Sequence, residues 1–590
     1  MSRGKRAATV YLLVILLFLG LALIYTRPLA AEPADHVSGN SNDMLLNIYI
    51  VGWTSHILGT SPLDFFNTTM FYPNSNTLVY TDPQVMTSII ALPAFWLTGN
   101  LVLAYNWVFI FSFVLGALGA FLLVDHLVGD RLAALAGSLI FGFPLYKLAH
   151  ITQIQLLLTG FIPLAFLCLH LYTERAKARY AVLFGLFTVC VFLSSWGYGF
   201  FFAFAALVYL VVFAVLRRKQ VIRALAGRSG PGPRRAVIRW LGVLVAVSIA
   251  AVVVLAPLAL PYLRAQKRDP NFKRSLAEVD AFGADAEDFL VASPTSLVWG
   301  SATNHFYTDP SRGAGPPERA LFTGLIPLAL AVLGIVFLAR RRDRNSRFLL
   351  WFYVVLGVLG AVLALGPSLH LFGHHYAIFM PYRLLYHLFP GFKSIRTPSR
   401  MIILTVLSLS VLGGFGIARI REMLSGRASR ATRLAVAAGV VVLLGLEMMS
   451  TSVPAVAVPP ARASFPPAYR WLATREGEAP TAVLPFGADI ANATQMEAWR
   501  LYYNTANWKK TVNGYSGYTP ASYAEAMTAT AGFPSPDSLA FLRRLKVRYA
   551  LVEGDRYDRT VIERTLALAR ADPGFHLMGV FDNDYLFELR

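Results

Sequence analysis

Cysteine, charge and acidic residues are all scarce in this 590-residue chain. Its 2 cysteines, Cys168 and Cys190, fall in separate apolar runs. Neither has a partner at metal-ligand spacing, so no disulfide framework or thiolate centre is expected. Only 15% of residues are charged, against about a quarter in soluble domains, which excludes an ordinary soluble protein. Acids are outnumbered 33 to 53, leaving a net charge of +20. The basic residues form short clusters between apolar runs, the pattern of orientation signals, so nucleic acid is not expected as a partner. Matched pairs of broken helices, the mark of inverted-repeat transporters, are also missing. What is present is apolar sequence: 56% hydrophobic residues and a mean hydropathy of +0.53. Apolar runs of roughly 18 residues or more read as membrane helices, so the chain is polytopic.

Charge parity sets the threading. Arg3, Lys5 and Arg6 hold the N-terminus in the cytoplasm, and residues 8–26 form a retained signal-anchor. Residues 28–100 contain no Lys or Arg, as an external loop should. Within that loop, 82–100 is apolar but short and proline-broken, and reads as a juxtamembrane helix. Further spans are expected at 101–124, 131–149, 152–171, 180–196, 200–216, 240–262, 321–339, 348–365, 400–418 and 434–450. The total is about eleven. The four basic clusters 172–179, 217–239, 340–347 and 421–433 then lie inside. This divides the chain into a transmembrane domain 1–450 with a large first external loop 27–100, a proline-rich linker 451–480, and an external α/β domain 481–590. In that last domain 481–487, 548–554 and 584–590 read as strands, and 537–547 and 560–571 as helices.

On this topology the unusual polar residues gather on the outer side, where polar groups near membrane depth mark function. Asp43 and Asn47 are four residues apart in "NSNDMLLNIYIVGW", with Ser41 or Asn42 as the helix cap, and so share a face. A lone carboxylate among amides and apolar residues suits general base work, or it complements the helix dipole. Asp82 is late in the same loop. His150, Gln153 and Gln155 surround an outer turn, Tyr198 sits at another, and Glu318 precedes a span. Arg396 and Arg400 flank "TP", where Thr397 is placed to cap and Pro398 to open a helix. Arginine at a helix N-terminus is a natural phosphate site; lipid headgroups and local carbonyls are the other partners open to it. In "NGYSGY" (513–518) the aromatics could stack on sugar, although Gly514 and Gly517 read more simply as a turn between strands.

The stretches "SNDMLLNIYIVGWTSHIL", "PLDFFNTTMFYPNSNTLVYTDPQ", "GDRLAALAGSLIFGFPLYKLAHITQIQLLLTGFIPL", "PERALFTG", "FKSIRTPSR" and "TVNGYSGYTP" run through nearly the whole chain. In this order the chain resembles the GT-C superfamily of polytopic membrane glycosyltransferases, close to the YfhO-type bacterial membrane proteins. The resemblance implies an inverting transferase that takes a sugar from a polyprenyl-phosphate donor to a glycan, lipid or protein acceptor. It implies work at the outer face of the bacterial cytoplasmic membrane. Asp43 matches the catalytic first-loop acid, Asp82 a second polar residue of that loop, Arg396 an arginine for the departing lipid phosphate, and Glu318 an acid before a span. Gln153 and Gln155 stand where many members carry a second-loop acid. That departure favours chemistry without a divalent metal or other cofactor. The competing expectations are a lipid-linked glycan flippase, which needs charges facing a mid-bilayer cavity, and a non-catalytic assembly protein.

Overall fold

The computed structural model describes residues 3–39, 42–225, 231–268, 272–308, 315–376, 378–477, 479–487 and 490–590. Ser41 and part of the basic segment 217–239 lie outside the described residues. The chain clusters into two compact units, Met1–Ala31 with Phe109–Val453, and Glu32–Val108 with Pro454–Arg590.

Among the described residues, eight helices are long and apolar enough to cross a membrane: Ala8–Tyr25, Leu101–Val128, Arg131–Ala149, Ile154–Arg175, Trp196–Lys219, Arg234–Arg268, Arg344–Ala364 and Pro398–Met423. The other three expected spans are also helical but marginal. Ala178–Ser194 has 17 residues and Leu325–Arg340 has 16, at the short end of what a hydrocarbon core needs. Arg430–Glu447 has 18 residues, with Arg430, Arg433 and Glu447 among them. Residues 82–100 yield the helix Val85–Thr98, with 14 residues and Pro93 inside it. Its length matches a juxtamembrane helix better than a span.

In the first unit the helix Ile402–Met423 is buried along most of its length. Leu325–Arg340 crosses it with backbones nearly touching. A Cβ on Gly334 would meet the Leu412 carbonyl oxygen at 2.0 Å, and one on Gly416 the Leu330 carbonyl oxygen at 2.1 Å. Small residues at such crossings are how membrane helices gain packing without a hydrophobic driving force. The expected spans 131–149 and 152–171 are each broken. Arg131–Gly142 stops before Pro144, and a five-residue helix Leu145–Ala149 follows. Proline disfavours the α conformation in the residue before it, and Phe143 has left it, with φ −123° and ψ 43°. The break is what leaves His150 and Gln153 in irregular backbone.

The second unit holds a four-stranded sheet in the order Thr481–Leu484, Tyr549–Glu553, Asp584–Leu589, Phe575–Phe581. The first pairing is parallel and the other two antiparallel. Residues expected to be a linker belong to this unit. Ala468, Tyr469 and Leu472 are buried in the sheet's core with Val483, Leu551 and Leu586. Ala455–Ala457 pairs antiparallel with His36–Ser38. The first external loop is therefore part of the same unit: Phe71 and Tyr72 donate backbone hydrogen bonds to Asn513 and Thr511, and Thr511 bridges Thr481 at the sheet edge. Proline-rich composition hid this, because Pro466 and Pro467 lead into a helix, Pro467–Ala473, where their missing N–H groups cost nothing.

One cross-strand pair in the sheet is unfavourable. Glu553 faces Asp584 in register, and like charges directly opposite destabilise a sheet. Burial, with Glu553, Asp555 and Asp582 adding repulsion, pushes the Asp584 carboxyl up to about 6. The folded chain thus holds this proton to higher pH than the unfolded chain does. Its contribution is complete below about pH 4 and is lost as pH rises toward 6. Asp584→Asn is expected to raise the thermal midpoint of the full chain in detergent at neutral pH. At about pH 4 it should leave the midpoint unchanged.

Candidate functional site

Two polar clusters stand out, one in each unit. In the second unit, Asp43 lies in the first turn of Asn42–Thr60, with Asn47 one turn on. That helix is buried on most sides, against Ile490–Asn504 among others, because it is apolar all round. Asp43 is partly exposed. Its Oδ1 accepts a hydrogen bond of 2.6 Å from the Tyr515 hydroxyl. Asn47 is 2% exposed, and its Oδ1 accepts from Gln84 Nε2. Asp82 Oδ1 lies 3.5 Å from the Gln84 backbone nitrogen, as its acceptor. Gln84 therefore links the two acidic stretches of the first loop. Beside it, three buried polar atoms, Gln84 Oε1, Thr87 Oγ1 and Ser88 Oγ, have no hydrogen-bond partner among the described residues. Such atoms cost roughly 1–3 kcal/mol each unless something pairs with them.

Tyr515 is delivered by a buried scaffold. Glu497, 1% exposed, accepts from Arg500 Nη1 (2.8 Å) and Asn513 Nδ2 (2.9 Å) on Oε1, and from the Gly514 backbone N–H (2.9 Å) on Oε2. Burial pushes the Glu497 carboxyl up, against the opposing pull of Arg500. Ser516 Oγ donates to the Tyr80 carbonyl at 2.7 Å. "NGYSGY" is thus not a turn between two strands. It is a pinned irregular segment that presents Tyr515 to the acid.

In the first unit, five expected residues come together. Glu318 is 5% exposed. Its Oε1 accepts from Arg400 Nε (3.0 Å) and Nη2 (2.6 Å), and its Oε2 from Ser399 Oγ (2.8 Å). His150 Nε2 lies 3.3 Å from Oε2, and its Nδ1 is 3.1 Å from the Tyr146 carbonyl. Gln153 Oε1 accepts from Arg400 Nη2 at 3.4 Å. Tyr198 joins through its hydroxyl, 3.4 Å from that of Tyr146. Burial alone would raise the Glu318 carboxyl, but Arg400 and His150 beside it hold it well below the usual carboxylate range. The donor fork of Arg400 is therefore committed to Glu318.

Arg396 is placed differently. Its guanidinium stacks over the Phe282 ring at 4.6 Å. Among the described residues it has no ion pair or hydrogen bond. Burial, with Arg274 and Arg400 adding repulsion, lowers its proton affinity from the ordinary arginine value. Such a cation gains from an added anion. Pro398 opens a 3₁₀ turn, Pro398–Met401, that runs into Ile402–Met423, and Thr397 at the cap position makes no side-chain cap bond. Gln155 Oε1 is buried without a partner among the described residues.

Sequence reasoning missed Tyr515 as the partner of Asp43, Gln84 as the link, and the Glu497–Arg500 support. It also passed over Lys147, which is fully buried and donates to the Gly142 carbonyl at 3.3 Å beneath the Phe113 ring. Among the described residues, two groups have atoms close enough to hold a metal ion: Asp280 with His370 and His375, and Glu32 with Asp35 and His36. The second is largely exposed and local in sequence.

No family model and no curated protein matches the chain. Among solved structures it is similar to the archaeal oligosaccharyltransferase AglB from Archaeoglobus fulgidus, in complex with an inhibitory peptide and a dolichol-phosphate. The identity is 13% and the TM-score 0.47, over 94% of this chain and 70% of that one. It is also similar to ArnT from Cupriavidus metallidurans in the apo state (12%, TM-score 0.44) and bound to undecaprenyl phosphate (12%, TM-score 0.43). Both of these alignments cover 98% of each chain.

Proposed function

We propose that the chain is an inverting glycosyltransferase that moves a sugar from a polyprenyl-phosphate donor to an acceptor hydroxyl at the outer face of the bacterial cytoplasmic membrane. The observation that carries this reading is the surroundings of Asp43: a carboxylate oriented by one tyrosine hydroxyl, in a unit that also holds unpaired buried hydroxyl and amide oxygens. A polyhydroxylated ligand supplies the donors and acceptors that such atoms need.

In this reaction Asp43 takes the proton from the acceptor hydroxyl as its oxygen attacks the anomeric carbon. The bond between that carbon and the phosphate oxygen breaks, and the lipid phosphate leaves with the electron pair. Within the first unit, Arg396 is the arginine open to an anion, since its guanidinium has no carboxylate partner among the described residues. Glu318 and Arg400 neutralise each other and so hold structure rather than substrate. Asn47, Asp82 and Gln84 line the sugar or the acceptor. His150, Gln153 and Tyr198 shape the surroundings of Arg400, and the unpaired Gln155 oxygen is open to a substrate hydroxyl. No step is routed through a metal, because amides stand at the second-loop positions where an acidic ligand would be needed.

A flippase needs charges facing a mid-bilayer cavity. Glu447, the most conspicuous acid in a span, accepts from the Leu325 and Ile326 backbone N–H groups (2.7 and 3.0 Å) and from Trp299 Nε1 (3.0 Å). It caps the positive end of a helix.

The test is a lipid extract from a strain lacking the gene, analysed by mass spectrometry. A polyprenyl-phosphate sugar is expected to accumulate, to disappear when the parent gene is restored, and to persist with Arg396→Gln. An unchanged lipid profile in the deletion strain overturns the proposal.

A further inference from the structure

The first unit contains a site that the transfer reaction does not use. The segment "LHLFGHHY" (369–376) folds as a hairpin, Leu369–Leu371 against His374–Tyr376. Its two-residue turn, Phe372 and Gly373, has φ of 49° and 74°, the left-handed pair that matches the twist of a tight hairpin. That turn puts His370 directly across from His375, with ring centroids 5.0 Å apart. Asp280, near the end of the short helix Leu276–Ala281, meets both rings. Its Oδ1 lies 3.4 Å from His370 Nε2 and its Oδ2 3.1 Å from His375 Nε2. All three ligand atoms fall within 4.8 Å of one another.

We infer that Asp280, His370 and His375 form a Zn(II) site that staples the hairpin to the segment before it. Zinc bonds of about 2.0–2.2 Å in a tetrahedron separate neighbouring ligand atoms by about 3.3–3.5 Å. The 3.4 Å between Asp280 Oδ1 and His370 Nε2 matches that edge, and the ligand atoms of all three residues lie within 4.8 Å of one another. The two innermost atoms are also unsatisfied. Asp280 Oδ1 and His370 Nε2 are buried and face each other at 3.4 Å without the alignment of a full hydrogen bond, and Ser368 lies beside the same carboxylate. A cation between them supplies what each lacks. Two neutral imidazoles and a carboxylate suit zinc, with a fourth position left for water.

The support around the ligands is in place. The Phe372 N–H donates to Glu287 Oε1 at 2.8 Å and the Gly373 N–H to Asp285 Oδ2 at 3.3 Å. These bonds fix the turn, and Asp285 bridges the His370 backbone. Asp280, Asp285, Glu287 and Asp288 make this corner acidic, which raises its attraction for a divalent cation. The site is also close in sequence to the stacking partner of Arg396: Phe282 is two residues beyond Asp280. A metal here holds that segment in place without touching substrate.

The test uses the full chain, purified in detergent on a tag without histidine, incubated with ZnCl2 and passed through a desalting column. Metal is counted by inductively coupled plasma mass spectrometry. About one zinc per chain is expected for the parent and for His374→Gln, which alters the exposed neighbour outside the trio. Asp280→Asn and His370→Gln are expected to lose most of it. Co(II) titration should give the visible bands of a tetrahedral site in the parent and not in these variants. If either buried variant elutes as aggregate, the half-exposed His375→Gln takes its place. No zinc above background in the parent, equal zinc in parent and ligand variants, or equal loss in His374→Gln overturns the assignment. None of these outcomes depends on sugar transfer, so this inference and the proposed function fail separately.

Discussion

Asp43→Asn is expected to reduce sugar transfer by roughly 100- to 10,000-fold, the usual contribution of a positioned general base. That range corresponds to about 3–5 kcal/mol of transition-state stabilisation. The substitution is informative because it changes little else. Asparagine has the same shape, and its amide oxygen still accepts from the Tyr515 hydroxyl, now 2.6 Å from Asp43 Oδ1. Met44, Leu45 and Leu46, which bury the start of the helix, are untouched. Membrane insertion, yield and thermal midpoint should therefore match the parent, while transfer to a supplied acceptor in membrane vesicles collapses. Transfer within twofold of the parent would remove Asp43 from the chemistry and leave it as a helix-dipole residue. Tyr515→Phe separates orientation from proton transfer: it keeps the base and removes the tyrosine hydrogen bond alone, so its loss should be clearly smaller.

The sequence made legible what depends on local pattern. Helices came from long apolar runs, and Val85–Thr98 was separable from the spans because it is short and holds Pro93. Asp43 and Asn47 sharing a face followed from helical spacing alone. Three of the four sheet strands read as short apolar segments. The fourth, Phe575–Phe581, has a register shift between Leu577 and Gly579, which breaks the alternation that marks a strand. Long-range pairings were not legible. Tyr515 is 472 residues from Asp43, and no periodicity connects them. The hairpin histidines looked ordinary until the turn at Phe372 and Gly373 set them opposite each other. Arg396 and Arg400 looked alike in "RTPSR", yet one is bound by Glu318 and the other is not. Only the position of an acid 82 residues from Arg400 separates the two roles.

That distinction yields the prediction with the largest expected effect on stability. Glu318 ties three segments together: its own turn Pro316–Arg319, Ser399 and Arg400 at the start of a span, and His150 at the broken helix. Glu318→Gln removes the charge and keeps the shape. It leaves Arg400 facing a neutral amide, with one oxygen where there were two. Breaking a buried ion pair from one side costs roughly 3–5 kcal/mol, because the remaining charge stays desolvated. The thermal midpoint in detergent should fall by several degrees. The sign with pH follows from the depressed carboxyl: an acid whose folded affinity for protons is lowered gives its full stabilisation above the unfolded value and loses it only as pH falls below that value. The penalty of Glu318→Gln should accordingly shrink as pH falls below about 4. A double variant, Glu318→Gln with Arg400→Met, removes the stranded cation, so its loss should be smaller than the sum of the two single losses. Strict additivity would mean that the pair is not coupled and that Arg400 is free to hold an anion, as its place beside a helix start first suggested. Coupling, by contrast, leaves Arg396 as the arginine of this motif without a carboxylate partner among the described residues.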